Sequence, residues 1–153
     1  MKRIFICLLL ASLTACGDSV SLGGKYYIDR TDFHRVSVLK KTPSGESIAI
    51  IGEHVVDWER LENYSVLLRK VAYSPDCYDK NGAPTIVTHY TDKSEFWVIN
   101  IRSEIEYGPF DVEQYKLKLT QLGIPFVKLQ EPSSYKSNTD YFNEATKTCT
   151  IRD

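Results

Sequence analysis

The chain has 153 residues, with 19 Lys and Arg against 20 Asp and Glu and a formal charge of −1. Apolar and charged residues are at ordinary globular levels, which excludes wholesale disorder, and the lack of a basic field excludes a nucleic-acid partner. The length suffices for one hydrophobic core and is short for two domains.

The first sixteen residues read as an export signal. Lys2 and Arg3 precede an apolar run from Ile4 to Leu10, and the segment closes on Leu13-Thr14-Ala15-Cys16. A charged start, a short apolar core and a small-residue cleavage region are the marks of a secretory peptide, and the run is too short to span a bilayer. Leu-Thr-Ala-Cys resembles the bacterial lipobox, in which the Cys sulfur receives a diacylglyceryl group before cleavage makes that Cys residue one. Cys16 is therefore the expected lipid attachment, and residues 1–15 the expected signal. The competing readings are an ordinary cleaved signal with an incidental Cys and an uncleaved helix buried in the fold. One acyl chain binds marginally, at about 0.8 kcal/mol per buried CH₂, whereas two or three anchor firmly. An Asp directly after the lipidated Cys would hold such a lipoprotein at the inner membrane; here Gly17 takes that place and Asp18 follows. The expected address is the outer membrane, facing the periplasm, with the inner membrane or the surface of a one-membrane cell as the alternatives, and the mature charge is near −3.

Residues 17–24 read as a tether of small and polar residues that reaches at most about 28 Å. The domain expected beyond it, residues 25–153, is a single periplasmic α+β unit. Lys25 to Asp29, Phe33 to Leu39 and Ser47 to Trp58 are rich in β-branched and aromatic residues and predict strands. Thr42-Pro43-Ser44-Gly45 supplies a turn, and Gly52 a bend or bulge in the third strand. Asn63 to Tyr73 predicts a further strand, followed by a loop from Ser74 to Pro84 with the turn signal Asn81-Gly82. Thr85 to Tyr90 and Glu95 to Ile105 predict a hairpin around Thr91-Asp92-Lys93-Ser94. A helix follows. Asp111 caps it, Gln114 completes a capping box, Val112, Tyr115, Leu119 and Leu122 trace one face, and Gly123 with Pro125 ends it. Pro125 to Leu129 predicts another strand, and 139–146 a helical turn. The pattern as a whole is an α+β fold: an antiparallel meander with one main helix of the C-terminal half packed on it.

Of four cysteines, Cys7 leaves with the signal and Cys16 takes lipid, so Cys77 and Cys149 remain. An even remainder in an exported chain predicts one disulfide. It would close a loop of 73 residues and contribute about 4 kcal/mol on the chain-entropy model. A redox or metal pair would need a C-x-x-C spacing or nearby ligands, and neither is present.

Chemistry-bearing residues are sparse. Glu104 and Glu106, two apart in an expected strand, would share a face, but alternating charges on a solvated sheet explain them without the cleft that a glycosidase pair requires. His34, His54 and His89 are scattered and read as surface or sheet residues, so no metal site is expected. Around Asp79-Lys80-Asn81-Gly82 a calcium loop would need acidic groups where Cys77 and Thr88 stand, and a hairpin-type turn fits better. Pro43-Ser44-Gly45-Glu46-Ser47 is not a nucleophile elbow, and glycine-rich phosphate loops are absent. No catalytic residue and no cofactor are expected.

The segment from Glu95 to Arg102, followed by Tyr107-Gly108-Pro109-Phe110 and the helix, is similar to a pattern in small uncharacterised bacterial lipoproteins. Val55-Val56-Asp57-Trp58 with Tyr64-Ser65-Val66 resembles the earlier strand pair of such proteins. The resemblance implies fold and address. Small lipoproteins of this build often guard a bacterium against toxins delivered to its periplasm, such as phospholipases or wall hydrolases. The expectation is a non-catalytic binding module on a membrane with a protein partner, an immunity protein or inhibitor; the alternative is a structural or assembly accessory of the envelope. Ten tyrosines, each an apolar ring with a polar tip, suit half-buried sheet faces and interfaces alike.

Overall fold

Val66, Leu67 and Leu68 follow one another in the sequence, and a strand apolar at consecutive positions has to be covered on both faces. A computed structural model, which describes residues 19–30, 35–73, 76–78, 81–86, 89–132 and 148–150, covers it in that way. β1 (Ser19–Gly23), β2 (Tyr26–Asp29), β3 (Ser37–Lys41) and β4 (Ser47–Ile51) form an antiparallel meander in the order 1-2-3-4. β5 (Val55–Arg60) and β6 (Tyr64–Tyr73) join β9 (His89–Asn100) and β10 (Ile105–Phe110) in a second antiparallel sheet, ordered β10-β9-β6-β5. Between β6 and β9 the chain forms β7 (Asp76–Tyr78) and β8 (Pro84–Ile86), which make a small third sheet with β11 (Thr148–Thr150). The helix α1 is Val112–Gln121. This is an α+β fold with the helix in the C-terminal half.

The second sheet is the middle layer. On one face Leu67, Ile99 and Val55 meet Leu22, Tyr26, Ile28, Val38 and Ile51 of the first sheet. On the other face Val66 and Val98 meet Tyr115 and Leu119 of α1, with Ile124 and Val127 beyond it. Neighbouring residues on one strand thus belong to different cores, the direct result of a period of two. The sandwich has two ends. At one, Ser19 pairs with Asp29, Asp29 with Ser37, and the Val55 N–H donates to the Val36 carbonyl at 3.0 Å. At the other, Lys41 N–H donates to the Lys25 carbonyl, and Gly23 approaches Ile101 so closely that an added Cβ would lie 2.8 Å from its Cδ1. These are the Ser19 end and the Lys41 end.

Several expectations are corrected. The tether expected over residues 17–24 is strand for most of its length: Ser19–Gly23 is β1, and Leu22 is fully buried. Small polar residues read as linker, yet the outer row of an edge strand needs little more. The strand expected from Ser47 to Trp58 is two, because the chain changes sheets at Gly52-Glu53-His54, where His54 takes φ of 75°. The hairpin turn expected at 91–94 is interior to β9; the Thr91 hydroxyl donates to the Val71 carbonyl at 3.0 Å, and an irregularity between Lys70 and Ala72 absorbs the change of register. The true turn comes at 101–104, where the Asn100 side chain accepts from the N–H groups of Arg102 and Ser103 at 3.1 and 3.0 Å. Pro125 to Leu129 is not a strand. Its backbone is held by side chains instead: the Tyr115 hydroxyl donates to the Val127 carbonyl at 3.2 Å, and Gln130 N–H donates to Asp57 Oδ2 at 2.6 Å. The helix cap is as expected, with Asp111 accepting from Glu113 and Gln114 N–H groups and Gln114 Oε1 accepting from Asp111 N–H. Residues 1–18 with Cys16, His34, Asp79 and the helical turn at 139–146 lie outside the described residues.

Candidate functional site

The hairpin joining β9 to β10 decides where the two sequence-predicted carboxylates go. Glu104 stands in its turn with φ of 56°, not in a strand, and Glu106 is on β10. They do converge, on a lysine of the other sheet. Lys40 Nζ lies 3.4 Å from Glu104 Oε2 and 3.2 Å from Glu106 Oε1, and Lys25 Nζ lies 2.7 Å from Glu104 Oε1. The buried Tyr26 donates its hydroxyl to Glu106 Oε1 at 2.5 Å, and its ring lies under Lys40 Nζ at 5.0 Å. β2, β3 and β10, with the turns that precede β2 and β10, thus close the Lys41 end of the sandwich with two cations, two anions and one phenol.

The electrostatics follow from that pairing. The Lys25 ammonium holds Glu104 below the usual carboxyl range, with Lys40 adding to it against desolvation. Burial works to raise Glu106, but the Tyr26 hydroxyl and Lys40 outweigh it and the net direction is down. Lys40 is raised by its interaction with Tyr26 and then with Glu106, against burial. Tyr26 is raised by burial and by the Glu106 carboxylate. A general acid needs a carboxyl held protonated near neutrality, and both of these are held ionised. What the cluster can do is lock the two sheets together and present a fixed pattern of charge.

The Ser19 end carries a different polar set. His54, expected on a surface or in a sheet, is neither: it is buried in the link between β4 and β5. Its ring meets that of Tyr90 edge-on at 5.2 Å, its Nδ1 lies 3.4 Å from the Tyr90 hydroxyl, and its carbonyl accepts from Lys70 N–H at 3.0 Å. Lys70 went unnoticed in the sequence. Its side chain is almost fully buried, pairs with Glu131 at 2.7 Å and reaches the Ser94 hydroxyl at 3.4 Å. The signal was a lysine within an otherwise apolar strand face, which requires a partner wherever it is buried. Beside it, Arg69 pairs with Glu95 at 2.6 Å and donates to the Glu53 carbonyl at 3.0 Å.

A groove of about 580 Å³ opens between β9 and the start of α1, with Val71, Phe96, Phe110 and Val112 in its walls and Lys93 and Glu95 among its polar groups. Gly108 precedes its Pro109 wall. Its φ is 136°, and a Cβ there would stand 2.9 Å from both the Phe96 carbonyl and the Trp97 ring, so only glycine lets β10 close onto β9 before the helix.

The remaining candidates fall as follows. Thr42 to Glu46 is a turn, closed by Thr42 N–H to the Glu46 carbonyl at 2.8 Å, with Gly45 at φ of 89°. Asn81 and Gly82 lie in the connection between β7 and β8, with Gly82 at φ of 79°. The ladder of β11 with β7 sets the backbone of Cys149 opposite that of Cys77. His89 is the first residue of β9. Among the described residues no three His, Cys, Asp or Glu side chains are grouped so as to hold a metal ion, and no helix is long and apolar enough to cross a membrane.

No curated protein and no solved structure matches the chain. A family model does, over residues 23–133, a span that takes in both four-stranded sheets from the end of β1 onward, the charge cluster, the groove and α1. The chain belongs to the family described as protein of unknown function (DUF3997).

Proposed function

We propose that this chain is a lipoprotein anchored through Cys16 in the outer membrane, whose periplasmic domain is a non-catalytic binding module, and that it serves as an immunity protein occluding a toxin delivered to the periplasm. The observation that carries the reading is the state of Glu104 and Glu106. Glu104 is ion-paired to Lys25 and Lys40 and Glu106 to Lys40, and both are held ionised, so the one carboxylate pair the sequence offered is engaged in joining two sheets. Occlusion of an enzyme needs a rigid scaffold and a complementary surface, and no reactive group of its own. The register that sets Cys149 against Cys77 supports an oxidising compartment, since backbones directly opposed in an antiparallel ladder are within disulfide range. Thiol labelling of denatured, unreduced protein tests that bridge, and two reactive thiols would end it.

The functional test is a deletion strain challenged with competitors that secrete phospholipases or wall hydrolases. Death of the deletion strain, rescue by the gene, and a stoichiometric complex of the lipid-free mature domain with the secreted enzyme are the expected results. Envelope defects in the absence of any toxin, with no gain in sensitivity, would overturn inhibition in favour of an accessory role.

A further inference from the structure

The strand β1 shortens the leash. With Ser19 already paired to Asp29, only residues 17 and 18 separate Cys16 from the folded sheet, and three Cα steps span at most about 11 Å. β1 itself runs about 13 Å from Ser19 to Gly23, at about 3.3 Å per residue, so the leash is shorter than the strand it holds. A tether of eight residues would let either end of the sandwich reach the bilayer. One of this length does not.

We infer that the lipid surface lies against the Ser19 end of the sandwich, so that the Lys25, Lys40, Glu104 and Glu106 cluster at the Lys41 end faces outward, toward a periplasmic partner. The inference rests on the reading of Cys16 as the lipid-bearing residue. At the membrane end stand Asp29, Ser37, Glu53 and Arg35, the last two 3.9 Å apart. Arg69 and Glu95 pair within the same end of the second sheet. Cations and anions alternate here, so the covalent tie, and not a net field, sets the orientation. The charge cluster is joined to this end by strands that run from one to the other: β3 begins at Ser37 and carries Lys40, and β2 ends at Asp29 and begins at Tyr26. Orientation at the membrane is thereby transmitted rigidly to the outward face.

The test uses the full lipidated chain in phosphatidylethanolamine and phosphatidylglycerol vesicles that contain a lipid with a photoactivatable headgroup, with labelled positions read by mass spectrometry. Labelling at Asp29, Ser37 and Glu53, and its loss at Ser44 and Arg102 in the two outward turns, is the expected pattern. Equal labelling of both ends, or labelling of Ser44 and Arg102 alone, would overturn it. A ten-residue Gly-Ser insertion after Asp18 should abolish the difference between the ends; its persistence would show that the short leash is not what orients the domain. The intact mass of the N-terminal peptide separates the two levels of failure: an unacylated Cys16 removes the anchor and this inference with it, whereas an acylated Cys16 with unbiased labelling removes the orientation alone.

Discussion

The two faces of the middle sheet are closed by different means. Against the first sheet, Leu67 and Ile99 are sealed by residues that arrive from 16 to 77 positions away in the chain, and the open edge is shut by the Tyr26, Lys40 and Glu106 contacts. Against the helix, Val66 and Val98 are covered by a segment that begins just after β10, and the cover includes the stacked rings of Phe96 and Tyr115, 4.8 Å apart. Ile124 and Val127 on that side each retain 9% exposure, whereas Leu67 and Ile99 retain none. A sheet laid on a sheet traps its contents between two rigid hydrogen-bonded layers. A helix followed by an irregular strap can settle inward when an atom is removed.

Truncations measure that difference. Leu67→Ala should cost about 4 kcal/mol and Leu119→Ala about 3, because the cavity term depends on how far the surroundings relax. Denaturant unfolding of the two variants checks the order, and a larger loss for Leu119→Ala would reverse the account of the two faces.

Tyr115→Phe removes the bond to the Val127 carbonyl and should cost about 1 kcal/mol at neutral pH. It should also remove an alkaline limb. Burial, followed by the charges of Glu59 and Asp57, pushes the Tyr115 phenol from 10.0 up to about 12. A group raised on folding stabilises fully below its unfolded value and loses that contribution as pH rises through its folded one. Stability of the parent should therefore fall between pH 10 and about 12 by an increment that the variant lacks, as read by unfolding midpoints across that range.

Asp111→Ala strips the capping box and should cost about 1 kcal/mol, the loss appearing as fraying at the start of α1 in amide exchange. The sheet–sheet face should be unaffected, so Leu67→Ala and Asp111→Ala should add.

The smallest effect lies at the charge cluster. Glu104 and Glu106 are lowered from 4.5 on folding, so their contribution is complete above that pH and is lost as the pH falls through their folded values. Replacing both by Gln should flatten the acid limb below pH 4.5 and lower stability at pH 7 by the same increment, a small one because the Glu104 and Glu106 side chains keep 37% and 28% of their exposure. An unchanged acid limb would mean that other carboxylates dominate it.

Much of the helix side was legible from residues near one another in the chain. Asp111 and Gln114 form a local device, the spacing of Tyr115 and Leu119 marks the buried face, and Gly123 stops the helix in the left-handed region at φ of 68°. The strap departs from the expected strand because side chains hold it without a ladder, and two of its partners, Asp57 and Lys70, lie at least 61 positions back. Thr91 to Ser94 departs from the expected turn for a related reason: its residues favour turns in isolation and do interrupt the ladder between Ser94 and Tyr90, but β6 pairs with β9 on both sides of that irregularity and keeps the strand continuous. At the candidate site, the proximity of Glu104 and Glu106 was visible and their neutralisation was not. Lys25 and Lys40 reach them from more than 60 positions away, across the sandwich.

What the sequence determined by itself is therefore local: the strand-rich composition, the capped helix and the turn at Thr42 to Gly45. Each is written in residues a few positions apart, where hydrogen-bond geometry and backbone preference act directly. The tertiary structure alone decided that Ser19 to Gly23 is an edge strand, that the chain changes sheets at His54, and that Lys40 stands between two carboxylates. Those outcomes depend on which strands present a free ladder, a core to cover or an opposite charge, and such partners exist only once the chain has folded.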